Sequence, residues 1–159
     1  MKALKKIGVI GAGQMGNGIA HVCAIAGYDV KLNDISDDRI KAGLATINGN
    51  MQRQVSKALL SEGDRQAALN RIAPAATFQD LTDCDLVIES ASEKEEIKKK
   101  IFGELSALMP KDALLASNSS SISITRLGAS TDRPEKFIGM HFMNPVPLME
   151  LVELVRGIA

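Results

Sequence analysis

Three glycines in the segment GVIGAGQMGNG, residues 8–18, constrain the fold of this chain more than any other feature. Gly11, Gly13 and Gly16 have the G-x-G-x-x-G spacing and follow directly after a short apolar stretch. The first glycine allows a tight turn out of a strand, the second lets the backbone approach a pyrophosphate, and the third lets the next helix pack closely on the sheet. The segment therefore predicts a dinucleotide site at the first turn of a βαβ unit.

The residues on both sides of the glycines fit a strand, a helix and a second strand. Lys6–Ile10 is typical of a buried strand, and the small and apolar residues 15–26 predict a helix that ends at Gly27. The free N–H groups at the start of this helix would point at the phosphates of a dinucleotide. We therefore expect cofactor contacts from every residue of the turn: Gly11, Ala12, Gly13, Gln14, Met15 and Gly16.

Asp34 is the candidate ribose ligand. It follows a second apolar strand, residues 29–32, at roughly the 20-residue distance from the glycines that is expected of the acid that binds the adenosine ribose hydroxyls. A carboxylate there repels a 2′-phosphate, so we expect NAD rather than NADP, although Arg39 is close enough in sequence to weaken that preference. The alternative interpretation is that Asp34 is an acid at the N-terminus of the following helix.

Composition and charge exclude several classes of function. The 159 residues suit one domain, and 45% apolar with 24% charged residues is ordinary globular usage. Because 19 basic residues balance 19 acidic ones, no global field favours nucleic acid or an anionic membrane surface. The initial lysines lead straight into the first strand, which leaves no room for a signal peptide, and no apolar run reaches membrane-spanning length. We expect a cytoplasmic protein that binds neither nucleic acid nor membranes.

The two cysteines predict neither a disulfide nor a metal site. Cys23 and Cys84 are far apart and form no C-x-x-C or Cys/His cluster. We expect them to be small buried residues in a reducing compartment, and we expect no metal.

Strands and helices are predicted to alternate along the rest of the chain. The predicted helices cover residues 36–60, 64–72 and 93–109, and Pro74 is expected to stop the second of them. The remaining predicted strands cover residues 75–78, 85–88, 113–116 and 137–140, with a last extended segment at 148–155. This alternation predicts an α/β fold of the Rossmann type, with a doubly wound and mostly parallel sheet, in one domain over residues 1–159.

The helix predicted over residues 93–109 has two further expected features. Its apolar spacing predicts one buried face, made of Ile97, Ile101, Leu105 and Leu108. Ser92 and Glu95 have the S-x-x-E spacing of a capping box.

Three of the predicted strands are each followed by a polar segment. These segments are residues 89–93, 117–121 and 141–145. Ligands of doubly wound sheets bind beyond the carboxyl ends of the strands, so we expect all three segments to face the cofactor crevice. A loop with a helix N-cap explains part of the serine-rich segment 117–121, but not five consecutive hydrogen-bonding residues.

His141 is the candidate proton acceptor. A lone histidine is more often structural, but this one follows a strand at the predicted crevice, and Glu153 on the next extended segment is able to lie beside it. An imidazole accepts a proton from an alcohol near neutral pH, and an adjacent carboxylate fixes its tautomer. His21 lies inside the first predicted helix, where we expect a structural role.

Together these segments resemble the NAD-binding domain of the L-3-hydroxyacyl-CoA dehydrogenase family. The matching features are GVIGAGQMG, Asp34, Glu93, SNSSS at residues 117–121 and GMHFMNPVPLMELVE at residues 139–153. The similarity covers essentially the whole chain, and the last motif is highly specific.

The resemblance implies a reaction and the residues that carry it. The 3-hydroxyl of an acyl-CoA would lose its proton to His141 while C3 delivers hydride to NAD, or the reverse during reduction of a 3-ketoacyl-CoA. Glu153 matches the acid partner of that histidine. Ser120 matches a serine that touches both substrate oxygen and cofactor, and Asn144 matches an asparagine beside the nicotinamide.

The resemblance also implies further binding residues. Glu93 and Lys98 match cofactor contacts, although charge on a helix surface would explain them equally well. Lys57 matches a coenzyme A contact on the long second helix, and the neighbouring contact falls at Asn50, where a serine occurs in some members of the family.

The chain departs from the family in length. The family continues into a helical C-terminal domain that forms a homodimer, closes over the acyl chain and contributes another asparagine to the active site. This sequence ends at Ala159, so we expect that domain to be absent from it. Either the sequence is a truncated cofactor domain, or it acts with a separately encoded half.

Two other functions stay open at this point. A dehydrogenase of a small free hydroxy acid would not need Lys57 or coenzyme A. A non-catalytic dinucleotide-binding module would not need both His141 and Glu153. The HFMNP segment at residues 141–145 favours the acyl-CoA reaction over the first of these.

Overall fold

One sheet organises the part of the chain that the structure, a computed structural model, describes, which is residues 3–119 and 121–159. Its seven strands are, in chain order, β1 Lys6–Ile10, β2 Asp29–Asn33, β3 Ile72–Ala75, β4 Leu86–Glu89, β5 Leu114–Ser117, β6 Phe137–Phe142 and β7 Val152–Arg156. The α-helices of the same residues are α1 Gln14–Ile25, α2 Asp37–Ser56, α3 Glu62–Asn70, α4 Glu95–Leu108 and α5 Ile124–Ala129. Short 3₁₀ turns lie at Phe78–Leu81 and Pro134–Lys136.

The strand order is β3-β2-β1-β4-β5-β6-β7. Every neighbouring pair is parallel except β6 and β7, which form an antiparallel hairpin. The winding direction reverses between β1 and β4, and the carboxyl edge of the sheet at this point is where ligands of such folds bind. The prediction of a doubly wound, mostly parallel sheet is confirmed.

Two hydrophobic cores lie on opposite faces of the sheet. One core contains Ile19 of α1 and Ile47 of α2. The other contains Phe102 of α4 and Leu127 of α5, and the ring of Phe102 meets the ring of Phe137 edge-to-face at a centroid distance of 4.7 Å. The sheet is therefore covered on both faces, as its apolar parallel strands require.

The first turn needs glycine at two of its three glycine positions for steric reasons. Gly11 has φ +99°, and a Cβ there would lie 2.9 Å from the backbone of Ala91. A Cβ on Gly16 would lie 1.5 Å from the carbonyl oxygen of Gly11. The tight turn and the close helix packing that the spacing predicted are thus confirmed.

The edge strand β3 differs from the prediction. The helix before it ends at Asn70, and Pro74 lies inside the strand rather than before it. A proline removes one N–H donor from a ladder, and β3 tolerates this because it pairs on one side only, with β2.

Helix α4 differs from the prediction at its start and on its buried face. The capping box is wrong, because Lys94 is the N-cap residue and the Ser92 hydroxyl accepts a bond from the Lys94 N–H. The buried residues of the helix are Lys98, Phe102 and Leu105, whereas the predicted Ile97 and Leu108 are 43% and 40% exposed. The apolar pattern misassigns the face because a lysine occupies its buried side.

Both cysteines are free and buried, as predicted. Burial raises the pKa of the Cys23 thiol to about 11 and that of Cys84 to about 12. Among residues 3–119 and 121–159, no helix has the length and apolar character needed to cross a membrane. The same residues contain no cluster of three or more His, Cys, Asp or Glu side chains arranged to hold a metal ion.

Candidate active site at the carboxyl edge of the sheet

Asp34 lies against the glycine turn. Its Oδ2 accepts a hydrogen bond from the Ala12 N–H at 2.8 Å, and its Oδ1 accepts one from the Ile35 N–H at 2.6 Å. The N-cap of α2 is Ser36, whose hydroxyl accepts from the Arg39 N–H, so Asp34 is not the cap of that helix. A carboxylate has about four lone-pair sites, and two remain for the hydroxyls of a ribose.

The start of α1 fits a pyrophosphate. Gly13 is the N-cap residue and supplies no side-chain cap, so the first N–H groups of the helix are free for a ligand. Apart from its neighbours in the chain, none of the described residues has an atom within 4 Å of an imagined Cβ on Gly13, so its backbone borders open space. A helix N-terminus with free N–H groups and a positive dipole end attracts phosphate.

A groove of about 560 Å³ runs between this turn, α2 and the segment after β6. Its lining brings together five residues that the sequence predicted for the site: Ala12, Gly13, Gln14, Asn50 and Asn144. The amide of Gln14 donates to the Asn144 side-chain oxygen at 3.1 Å, which links the turn to the segment after β6. A second groove, of about 650 Å³, lies between α2 and β3, and none of the described residues that line it was predicted for the site.

His141 and Glu153 face each other across the terminal hairpin. They are register partners in the β6–β7 ladder, so their side chains project on the same face of the sheet. The His141 Nδ1 and a Glu153 carboxylate oxygen are 3.6 Å apart, which is within ion-pair range and longer than a hydrogen bond. The side chains are 28% and 54% exposed, so the pair is open to solvent.

Lys98 is completely buried, and so is Glu89, with which it forms an ion pair of 2.5 Å. The Lys98 ammonium also donates to the Ser117 hydroxyl and to the Asn118 carbonyl. Surface charge is therefore wrong as an interpretation of Lys98. Glu89, Ser117 and Asn118 turn inward, contrary to the expectation that their whole segments face the crevice.

Sequence reasoning named Glu89 and Ser117 only as parts of polar segments. Each is the last residue of its strand, and the two are register partners in the β4–β5 ladder. The available signal was an acid that ends a fully apolar strand nine residues before a lysine on the next helix.

The structure places three other predicted residues, Glu93, Asn50 and Lys57, outside this buried network. Glu93 is exposed, and one of its carboxylate oxygens is 3.5 Å from the Ser119 hydroxyl. Ser120 lies outside the described residues. The side-chain oxygen of Asn50 accepts from Arg53, and Lys57 is exposed at the end of α2, two turns beyond Asn50.

His21 is buried between α1 and α2. Its Nε2 is 2.8 Å from the Gln54 amide oxygen, and its Nδ1 has no partner among the described residues. Desolvation lowers the pKa of His21, while the bond to Gln54 opposes that shift, so the imidazole is neutral in the folded protein at neutral pH. This environment agrees with the structural role expected for it.

Comparison with known proteins identifies the family of this chain. Residues 6–159 match the family described as 3-hydroxyacyl-CoA dehydrogenase, NAD binding domain. A 3-hydroxybutyryl-CoA dehydrogenase of Bradyrhizobium diazoefficiens is 68% identical over 156 residues, which are 98% of this chain and 53% of that protein. The chain thus spans about half the length of the relatives it matches.

Solved structures show the same fold. The crystal structure of (S)-3-hydroxybutyryl-CoA dehydrogenase from Ralstonia eutropha superposes with a TM-score of 0.96 at 46% identity, over 98% of this chain and 55% of that one. A diketoreductase that acts on dicarbonyl compounds superposes with a TM-score of 0.89 at 29% identity, over 97% of this chain and 55% of that one. With its glycine turn, Asp34 and nearly complete match to the family, the chain belongs to the NAD-binding domains of the 3-hydroxyacyl-CoA dehydrogenases.

Proposed function

We propose that this chain is the cofactor-binding half of an NAD-dependent dehydrogenase that interconverts 3-hydroxybutyryl-CoA and acetoacetyl-CoA. The observation that carries the proposal is the His141–Glu153 pair at the end of β6, in a sheet whose glycine turn is shaped for a dinucleotide. A module that only binds a nucleotide has no use for this pair. The relatives named above supply the substrate class.

In the proposed reaction His141 is the general base for oxidation and the general acid for reduction. During oxidation its imidazole takes the proton of the 3-hydroxyl, and Glu153 stabilises the imidazolium that forms. The chemistry that a bound nicotinamide supplies is acceptance of the hydride from C3. Because Glu153 approaches Nδ1, the Nε2 atom of His141 is left to exchange the proton with the substrate.

The cofactor residues in this proposal are those of the turn, together with Asp34, Glu93, Lys98, Ser120 and Asn144. Asp34 holds the ribose and disfavours a 2′-phosphate, which supports NAD over NADP. Arg39, with an exposed side chain in the first turn of α2, is the residue that would oppose this preference. For the acyl-CoA we assign Ser120 to the reacting oxygen, and Asn50 and Lys57 to coenzyme A.

A second domain and a homodimer belong to the proposal as well. Apolar side chains stand exposed on and beside the terminal hairpin: Leu148, Met149, Leu151, Leu154, Val155 and Ile158. Exposed apolar surface of this extent is typical of a surface that another protein segment covers. We assign it to contact with the helical domain through which the full-length form dimerises. Two free thiols suit the cytoplasm, where we place the protein.

A dehydrogenase of small free carbonyl compounds is the second candidate, and the diketoreductase structure is the observation that favours it. The two candidates differ in their need for coenzyme A. They are separated by measuring NADH oxidation with acetoacetyl-CoA and with free acetoacetate at equal concentrations.

We expect turnover with acetoacetyl-CoA and much slower turnover with acetoacetate. Lys57→Ala should raise KM for acetoacetyl-CoA, whereas Lys41→Ala, an exposed lysine on the same helix, should not. Equal turnover of the two substrates would overturn the acyl-CoA assignment. NADH binding without turnover of either substrate would show that residues 1–159 require another domain for catalysis, and failure to bind NADH would overturn the proposal as a whole.

A further inference from the structure

We propose that Gln54 is a further acyl-CoA-binding residue of this chain, and that buried His21 orients the Gln54 amide so that its N–H groups meet the coenzyme A arm. The inference rests on the proposed function, because it adds one residue to the coenzyme A contacts assigned to Asn50 and Lys57. In this arrangement Gln54 is a ligand, and His21 is a positioning residue that acts through it.

Gln54 lies between the two assigned coenzyme A contacts on one face of α2. Residues four and seven positions apart share a face of an α-helix, so Asn50, Gln54 and Lys57 form one row at the end of this helix. At 1.5 Å per residue the row is about 10 Å long. Asn50 lines the groove beside the glycine turn, and the other two residues continue the row from there toward the helix end.

His21 holds the Gln54 side chain from inside the protein. It has no exposed surface, and its Nε2 is 2.8 Å from the side-chain oxygen of Gln54. An amide oxygen only accepts, so Nε2 of the neutral ring carries the proton and donates it. If the amide were reversed, the ring proton would lie on Nδ1, which is buried and has no partner among the described residues. A buried N–H without an acceptor is costly, so the pair favours one arrangement.

This arrangement turns the N–H groups of the Gln54 amide away from His21. Gln54 is half-buried, and its amide nitrogen donates to none of residues 3–119 and 121–159. Two oriented donors in this row suit the acceptor oxygens of coenzyme A, which are amide carbonyls in the pantetheine part and phosphates at the nucleotide end. Gln54 therefore offers coenzyme A a preorganised contact between those of Asn50 and Lys57.

The charges along α2 also suit an anionic ligand. Its acidic residues, Asp37 and Asp38, lie in the first turn. Residues 39–61 contain no acid and four basic residues, which are Arg39, Lys41, Arg53 and Lys57. Basic residues near a helix C-terminus complement its dipole by themselves, whereas the oriented amide of Gln54 supplies donors that the helix does not need.

The test of the ligand role compares one substitution at two glutamines of α2. Gln54→Leu removes the proposed donor, and Gln52→Leu, at an exposed glutamine on another side of the helix, is the matched control. Acetoacetyl-CoA is titrated calorimetrically into the chain with NAD⁺ bound, where both molecules are oxidised and no hydride is transferred. NADH affinity is measured separately by fluorescence titration.

We expect Gln54→Leu to weaken acetoacetyl-CoA binding about fivefold to tenfold and to leave NADH affinity unchanged, while Gln52→Leu changes neither. Unchanged acetoacetyl-CoA affinity in Gln54→Leu would overturn the inference. A parallel loss of NADH affinity would overturn it as well, because Gln54 would then support the fold rather than bind coenzyme A.

The orienting role of His21 is tested by two substitutions. His21→Leu removes the donor that fixes the amide and should weaken acetoacetyl-CoA binding about as much as Gln54→Leu. His21→Gln keeps an N–H donor and should retain the affinity of the unmodified chain. Equal losses in both His21 variants would overturn the orienting role. If His21→Leu does not fold, the ¹⁵N shifts of the His21 ring in the unmodified chain still decide, because a proton on Nδ1 would overturn the arrangement.

The binding measurements do not require turnover. A chain that binds acetoacetyl-CoA through Gln54 but does not oxidise NADH would count against the proposed reaction and leave the inference standing. A chain that oxidises NADH with acetoacetyl-CoA, and whose Gln54→Leu variant keeps KM and affinity, would leave the proposed function standing and overturn the inference. Absence of acetoacetyl-CoA binding by the unmodified chain would overturn the inference together with the coenzyme A roles of Asn50 and Lys57.

Discussion

The ends of β4 and β5 and the β6–β7 hairpin hold the two halves of the proposed site, and they are built in different ways. At the first, charged and polar side chains are fully buried and every hydrogen bond of Glu89 and Lys98 is made inside the protein. At the second, His141 and Glu153 are partly exposed at 3.6 Å, and apolar side chains around them face solvent. In the first region the buried charged groups have their partners within residues 3–119 and 121–159. In the second region apolar side chains are exposed to solvent.

The difference indicates which step, cofactor binding or proton transfer, each region can carry out without another domain. A turn held by a buried network is preorganised for its ligand, so cofactor binding should need nothing outside this chain. Proton transfer gains from exclusion of water, which the open hairpin does not provide by itself. We therefore expect NADH binding to be robust and turnover to be sensitive to what covers the hairpin.

The largest effect should come from His141→Ala. Loss of general acid–base catalysis is worth about 10²- to 10⁴-fold in turnover. Because the imidazole takes no part in forming the glycine turn, NADH affinity should stay within error of the unmodified chain. Steady-state NADH oxidation with acetoacetyl-CoA, together with fluorescence titration of NADH, checks both statements. Parallel loss of affinity and turnover would erase the distinction between the two regions and make His141 structural.

Alanine substitutions at two glycines of the first turn should distinguish a glycine that the fold requires from one that NADH binding requires. Gly16→Ala places a Cβ 1.5 Å from the Gly11 carbonyl oxygen, so it should destabilise the fold by roughly 3 kcal/mol or more. The Cβ of Gly13→Ala meets no atom of the described residues within 4 Å beyond its chain neighbours, so the substitution should leave stability unchanged. It should weaken NADH binding about tenfold by obstructing the pyrophosphate.

Urea denaturation and NADH titration measure the two quantities. Gly103→Ala, on the exposed side of α4, is the control and should raise stability by about 0.5 to 1 kcal/mol without altering affinity. Full NADH affinity in Gly13→Ala would show that the open space above this glycine is not where the pyrophosphate lies.

Leu154→Glu tests whether the exposed apolar side chains of the hairpin form an association surface. Leu154 is 65% exposed on β7, and burying such a side chain in a self-associated form contributes about 1.5 to 3 kcal/mol. With this surface uncovered, we expect the chain of 159 residues to self-associate through the hairpin. The substitution should weaken that self-association, measured by sedimentation velocity, about tenfold or more, while NADH affinity is retained. Leu59→Glu, at a leucine that is 67% exposed away from the hairpin, should have no such effect. Equal effects of the two substitutions would remove any special role for the hairpin.

His21 should give the smallest effect, a difference in acid sensitivity. Burial lowers its folded-state pKa below the ordinary 6.5, so the unfolded chain binds the extra proton as pH falls below that value. Its contribution to stability is therefore lost progressively as pH falls from 6.5 toward the folded pKa, where the loss levels off. The urea midpoint of His21→Gln should decline less than that of the unmodified chain between about pH 7.5 and about pH 5.5. An identical decline in both would place the acid sensitivity elsewhere.

The same contrast explains how far sequence reasoning reaches. The glycine turn and the strand that precedes it follow from local spacing, and the structure has them where the pattern predicts. The sequence places Glu153 only on a segment able to reach His141, and the antiparallel register that pairs them is known from the folded sheet. The burial of Lys98 was not predicted, because sequence patterns place lysines at the surface. Its burial depends on Glu89 of β4, which only the folded sheet brings near. The misplaced face of α4 and the strand around Pro74 have the same cause, since tertiary packing overrode the local preference.

The most direct test of the central claim is titration of NADH and of NADPH into the chain of 159 residues. We predict saturable one-to-one binding of NADH, with NADPH weaker by about tenfold or more because of the Asp34 carboxylate. Absence of NADH binding would contradict the claim that this chain binds the cofactor without another domain. Tighter binding of NADPH would contradict the role given to Asp34.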